Sequence, residues 1–133
     1  WPEGGLGDAV RAALADTEDP LERDRIQTAV DFAKKNLRST LSVEELADVA
    51  RLSPRQFSRT FRLETGQSPA KAVENLRAEA ARQLMEQGRL SMDAIANETG
   101  FSDRERMRRA FLRVFGQPPQ AMRRNARSGE AQA

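Results

Sequence analysis

Two runs of arginine carry the chemistry this sequence offers to a partner. Between Arg51 and Leu63 stand Arg51, Arg55, Arg59 and Arg62, with no acid among them. Between Arg104 and Arg113 stand Arg104, Arg106, Arg108, Arg109 and Arg113 against the single acid Glu105. A guanidinium is always charged and presents a planar fork of donors that matches phosphate and the guanine edge. Such clusters are the electrostatic footprint of a nucleic-acid binder, although a solvated helix face has the same composition. The formal net charge of +2 conceals them. Residues 1–36 carry −3, residues 37–98 are balanced, and residues 99–133 carry +5.

The absent residue types narrow the field. The 133 residues contain no Cys, His or Tyr. Disulfides, a thiol nucleophile, a Cys/His zinc site and a histidine-based triad are therefore excluded. An all-carboxylate metal site stays open in principle, but no Asp-x-Asp-x-Asp-Gly spacing occurs. No run of 18 apolar residues and no signal peptide is visible. The length fits one domain of about 100–150 residues. The expectation is a helical domain of the cytoplasm that is not an enzyme and needs no cofactor. The start at Trp1 rather than Met is expected to reflect a fragment or a processed chain.

Residues 1–20, rich in Gly, Pro and acids, read as a linker, with room for a short helix over Asp8 to Leu14. Beyond Pro20, Ile26, Val30, Ala33 and Leu37 recur at helical spacing and predict a first helix over about 21–38. Ser42 with Glu45 has the spacing of a capping box and opens a short helix to about Ala50. Ser53 and Pro54 start a third helix that stops at Gly66. Ser68 and Pro69 start a long one over about 69–87, with Ala72/Val73, Leu76, Ala80 and Leu84 as its apolar stripe. Ser91 opens a helix over about 92–99. Ser102 with Glu105 reads as another capping box, opening a helix over about 103–115. Pro118 and Pro119 begin a seventh, running to about Ala126, and residues 128–133 form a tail. The predicted fold is all-α, with no strand signal.

Part of this pattern occurs twice. Leu46-Ala47-Asp48-Val49-Ala50-Arg51-Leu52-Ser53 aligns with Ile95-Ala96-Asn97-Glu98-Thr99-Gly100-Phe101-Ser102 at an offset of 49. After one inserted residue the offset is 50, pairing Phe57 with Met107, Arg59 with Arg109, Phe61 with Phe111 and Gly66 with Gly116. Each copy reads as short helix, tight turn, capped helix and glycine stop, the build of a helix-turn-helix. The copies span about 43–66 and 92–116, with helix 69–87 between them. Ala47 and Ala96 suit a close helix crossing, while Leu52 and Phe101 plug the turn into the core. Phe57/Phe61 and Met107/Phe111 back the second helix of each copy. Gly100 suits a left-handed turn residue, and Arg51 departs from it at the matching place.

The stretch LSVEELADVARLSPRQFSRTFRLETGQSPAKAVENLRAEAARQLME, with AIANETGFSDRERMRRAFLRVFGQPPQAMRR after it, resembles the DNA-binding domain of the AraC/XylS family of bacterial transcription regulators. The resemblance covers about residues 25–127, and its second half is most similar to the GlxA-type subfamily. It implies seven helices in two helix-turn-helix units joined by a long central helix. It also implies that residues 1–20 end an interdomain linker and that an amidotransferase-like N-terminal domain is missing. In the family the second helix of each unit enters one of two successive major grooves, about 34 Å apart.

The resemblance maps base-reading positions onto Arg55, Gln56, Ser58 and Arg59 in the first unit and Arg104, Glu105, Arg108 and Arg109 in the second. Arg59 is the leading candidate for a bidentate guanine contact. Glu105 either accepts from a cytosine amino group or serves as the capping-box carboxylate. Phosphate contacts are expected from Ser53, Arg62, Ser102, Arg106 and Arg113, the serines through helix N-termini. Arg51, Arg123, Arg124 and Arg127 touch phosphate or are solvated. Expected partners are double-stranded promoter DNA and RNA polymerase, with dimerisation through the missing domain. The competing classes are a basic protein-interaction module and an RNA binder. The scarcity of exposed aromatics argues against single-stranded RNA.

Overall fold

The computed structural model describes residues 20–123. The expected linker with its short helix, Trp1, Arg124, Arg127 and the tail lie outside the described residues. Seven helices follow one another: α1 Pro20–Lys35, α2 Val43–Val49, α3 Pro54–Thr65, α4 Pro69–Gln87, α5 Met92–Glu98, α6 Arg104–Phe115 and α7, described over 119–123. Among the described residues there is no strand, and no helix is long and apolar enough to cross a membrane.

The chain divides into two compact units. One comprises the described residues up to Ala33 together with Ser42–Pro69, and the other Lys34–Leu41 together with Ala70 onward. In the first unit Ile26, Ala29 and Ala33 of α1, Leu46 and Ala47 of α2, Ala50, and Phe57 and Phe61 of α3 are buried. The Phe57 and Phe61 rings lie one helical turn apart with centroids at 5.5 Å. In the second unit Ala78, Ala81 and Met85 of α4 cluster with Ile95, Ala96, Phe101, Met107, Ala110 and Phe111. The buried face of α4 thus runs through Val73, Ala78, Ala81 and Met85. The predicted stripe of Leu76, Ala80 and Leu84 flanks it, half-buried. The small Ala78 and Ala81 occupy the tightest positions because their side chains let the backbones approach.

The internal repeat extends to its backbone hydrogen bonds as far as the turn. Ala50 N–H reaches the Leu46 carbonyl and Thr99 N–H the Ile95 carbonyl, both at 3.0 Å. Leu52 N–H bonds to Ala47 O at 3.0 Å, and Phe101 N–H to Ala96 O at 2.9 Å. The residue before each of these anchors is left-handed: Arg51 has φ 59° and Gly100 φ 84°. For arginine this conformation costs about 1–2 kcal/mol. Glycine at 100 has a second cause. A Cβ there would lie 1.9 Å from the Leu37 carbonyl oxygen, a backbone atom.

Three expectations change. Helix α1 ends at Lys35, not 38, because a turn follows in which Ser39 N–H bonds to Asn36 O at 2.9 Å. Arg77 of α4 instead satisfies the freed carbonyls, donating to Leu37 O at 3.2 Å and to Ser39 O at 2.6 Å. The cap of α6 is Asp103, whose carboxylate accepts from Arg106 N–H at 2.8 Å. Ser102 is not a cap. It is the inserted residue of the second copy, with φ 73°. The Asp103 N–H folds back over it to Phe101 O at 2.9 Å, closing a γ-turn. Either side chain can cap a helix, so composition alone did not separate Ser102 from Asp103. Glu105 accordingly serves no capping box with Ser102.

Gly100→Ala meets both the left-handed backbone and the Leu37 carbonyl. It is expected to cost about 2 kcal/mol or more and to lower the thermal midpoint by about 10 °C. Arg51→Gly relieves strain at the matching turn and is expected to leave the midpoint equal or higher. Thermal unfolding followed by circular dichroism checks both.

Candidate nucleic-acid interface

Helix α3 shows how a short sequence divides its two faces. Ser53 caps it, accepting from Gln56 N–H at 3.1 Å, while the Gln56 side-chain oxygen accepts from Ser53 N–H at 3.4 Å. Pro54 sits at the start, where its missing N–H costs nothing. Gly66, at φ 75°, ends the helix. Phe57, Thr60 and Phe61 face the core. Arg55, Arg59 and Arg62 lie at i, i+4 and i+7, so they line one exposed stripe, with Ser58 half-buried beside it. Among the described residues no carboxylate lies within ion-pair distance of Arg55, Arg59 or Arg62. The acid of the helix, Glu64, is half-buried and lies 3.7 Å from Arg23 of α1. Gln56, a candidate base reader, spends its carboxamide oxygen on the cap, which leaves only its NH2 end for a base.

Helix α6 repeats the backbone with a different electrostatic finish. Met107, Ala110 and Phe111 face the core, and Gly116 ends the helix at φ 75°. Arg104, Arg106, Arg108, Arg109 and Arg113 are again exposed. Here each has a carboxylate. Arg104 Nε lies 3.0 Å from Asp93 of α5, and Arg106 Nε 3.8 Å from Asp103. Arg108 forks onto Glu105 with Nε at 2.9 Å and Nη2 at 2.7 Å, and Arg109 Nε joins the same carboxylate at 3.1 Å. Arg113 grips Glu74 of α4 with Nε at 3.1 Å and Nη2 at 2.8 Å. Glu105 is thus the anion of a local triad, and its hydrogen bonds from Arg108 and Arg109 hold its carboxyl at about 2. The Arg113 hydrogen bond, aided by Lys71, likewise lowers the Glu74 pKa against the opposing effect of its burial.

The predicted site residues therefore fall on two equivalent helices, one in each unit, except Ser53, which caps α3, and Ser102, which lies in the turn before the α6 cap. Sequence spacing did not reveal the pairs Arg104–Asp93 and Arg113–Glu74, because their partners come from other helices. The Arg108–Glu105 and Arg109–Glu105 pairs were legible as i, i+3 and i, i+4 spacings. Among the described residues no group of three or more acids could hold a metal ion.

In each unit, a short helix, a left-handed turn and a capped helix with an exposed arginine face define a helix-turn-helix DNA-binding domain. A family profile described as a helix-turn-helix domain matches residues 46–125. The transcriptional regulator Rv1931c of Mycobacterium tuberculosis is 43% identical over 82 residues, 62% of this chain and 32% of that protein. The regulator GlxA of Rhizobium meliloti is 37% identical over 83 residues, 62% of this chain and 26% of that protein. The activator RhaS of Pectobacterium carotovorum is 30% identical over 109 residues, 82% of this chain and 39% of that protein. Among solved structures, the DNA-binding domain of the transcription factor AdpA in complex with a target DNA superposes with a TM-score of 0.75 at 32% identity, covering 81% of this chain and 97% of that one. The chain belongs to the AraC-type family of helix-turn-helix transcriptional regulators. It spans less than half the length of each of these full-length relatives.

The two lowered carboxyls give the fold a pH dependence of known sign. A carboxyl with a depressed folded pKa stabilises the native state above its unfolded value, and that contribution is lost as pH falls toward the folded value. For Glu105 the window runs from 4.5 down to about 2. Thermal midpoints are expected to fall across that range, and Glu105→Gln to flatten the fall. A pH series of melting curves on both proteins measures it.

Proposed function

We propose that the chain binds double-stranded promoter DNA sequence-specifically, with α3 reading bases for the first unit and α6 for the second. The observation that carries this reading is the exposed stripe of Arg55, Arg59 and Arg62 on a capped helix, with no acid in ion-pair reach among the described residues. Arg59, with Arg55, Ser58 and the NH2 end of Gln56, reads base edges. Arg62 and the backbone N–H groups at the Ser53 cap hold phosphates. In the second unit Arg104, Glu105, Arg108 and Arg109 lie at the reading end of α6, with Arg106 and Arg113 toward the backbone. Ser102 contributes through the turn ahead of the Asp103 cap. The duplication supports two half-sites that follow the helical repeat of about 10.5 bp. Activation through contact with RNA polymerase, location in the cytoplasm, and dimerisation through a part of the protein outside this chain complete the proposal. The likeness to an activator, RhaS, supports the first of these.

Binding to a duplex selected from a random library is expected to exceed binding to its scrambled counterpart at about 150 mM salt. Arg59→Ala is expected to relax preference at one base position, a loss of about 1–3 kcal/mol of discrimination. Arg62→Ala is expected to weaken all sequences alike and to lower the salt slope by about 1. Fluorescence anisotropy across a salt series measures all three. Equal binding to selected and scrambled duplexes would refute the proposal, as would preferential competition by an acidic polypeptide.

A further inference from the structure

The two helices are equivalent in backbone and opposite in charge at one register position. At the offset of 50 that relates them, Glu105 stands where the first unit has Arg55, and Arg109 stands where it has Arg59. Four residues after Arg55, the Arg59 guanidinium has no carboxylate in reach among the described residues. Four residues after Glu105, the Arg109 guanidinium is bound at 3.1 Å, on the carboxylate that Arg108 already grips with two hydrogen bonds. Asp93 and Asp103 add to the contrast, so the first two turns of α6 carry four arginines against three carboxylates in ion-pair reach.

We infer that Glu105 is a specificity-determining residue that holds Arg108 and Arg109 away from phosphate and releases them only to a matched base edge. This rests on the DNA-binding reading above. The argument is one of relative size. An exposed pair at i, i+3 or i, i+4 is worth roughly a factor of two in equilibrium. That is enough to compete with a loose phosphate contact in high-dielectric surroundings. It is small against a bidentate guanine contact, which discriminates by roughly tenfold or more. The bound carboxylate also carries a negative charge beside both guanidinium groups, and like charge opposes a phosphate placed there. The first unit, with four arginines and no such acid among the described residues, supplies more of the sequence-independent grip alongside its own base contacts, and Glu105 adds selectivity in the second unit.

The test compares Glu105→Gln with the unaltered chain on two duplexes of about 30 bp, near three helical turns. One duplex is selected from a random library and the other is scrambled. Each arginine released to phosphate steepens the salt slope by about 0.9, a further loss of about 3.5-fold in scrambled-duplex affinity between about 50 and 200 mM salt. Glu105→Gln is expected to bind scrambled DNA more tightly at low salt, to steepen that slope by about 1–2, and to lower the ratio of selected to scrambled affinity. The reciprocal variant Arg55→Glu installs a carboxylate four residues before Arg59. It is expected to flatten the slope by about twice as much as Arg55→Ala does. Far-UV circular dichroism confirms that each variant is folded.

If Glu105→Gln leaves both slope and ratio unchanged while DNA is still bound, the inference is overturned and the DNA-binding reading stands. A lowered ratio at an unchanged slope also overturns it, because Glu105 would then touch a base itself. If the unaltered chain shows no preference for the selected duplex, the DNA-binding reading falls, and the inference with it.

Discussion

Each unit depends on one left-handed residue in the turn between two short helices. A right-handed residue at Arg51 or Gly100 would carry the chain onward instead of folding it back. The following N–H could then not reach the carbonyl of Ala47 or Ala96. That bond brings Leu52 or Phe101 inward and fixes where the capped helix starts. Once the start is fixed, the 3.6-residue period decides the rest. Phenylalanine or methionine goes to the core, and arginine goes to the open side. The arginine stripe is thus a consequence of turn geometry as much as of composition.

Sequence spacing made the helix order, the duplication and the two arginine faces legible, because caps, glycine stops and apolar periodicity all act within a few residues. It failed where the deciding partner is distant in sequence. Nothing around Gly100 indicates that the Leu37 carbonyl fills the space of its missing side chain. The end of α1 moved because Arg77, some forty residues later, takes up the carbonyls that a longer helix would have used. The buried face of α4 keeps Val73 of the predicted stripe but turns onto Ala78, Ala81 and Met85, leaving Leu76, Ala80 and Leu84 half-buried beside it, because the helices that cover it come from distant parts of the sequence. The confusion of Ser102 with Asp103 was local, between two side chains of equal capping ability separated by one residue.

The site also separates two properties that composition treats as one. Counting arginines ranks the second unit above the first. Counting arginines without a carboxylate among the described residues reverses the order, because Asp93, Asp103, Glu105 and Glu74 occupy those of α6. The family fold supplies the same scaffold twice, and the change of sign from Arg55 to Glu105, together with Asp93, Asp103 and Glu74, gives the two copies different electrostatic surroundings. The lowered pKa values of Glu105 and Glu74 have the same origin: each carboxylate is the acceptor for charged donors that would otherwise face solvent.

The second unit is discontinuous in the chain. Residues 34–41 belong to it, yet the whole α2–α3 segment of the first unit lies between them and α4. During synthesis the carbonyls of Leu37 and Ser39 leave the ribosome long before the Arg77 guanidinium that binds them. The unit cannot close on its own stretch of chain, and a cut at Pro69 would not release it whole, because the guanidinium and the Gly100 turn would lose the segment they are built against. The two helix-turn-helix copies resemble each other in sequence, but they are not interchangeable cassettes. One is complete only when the polypeptide has passed through the other.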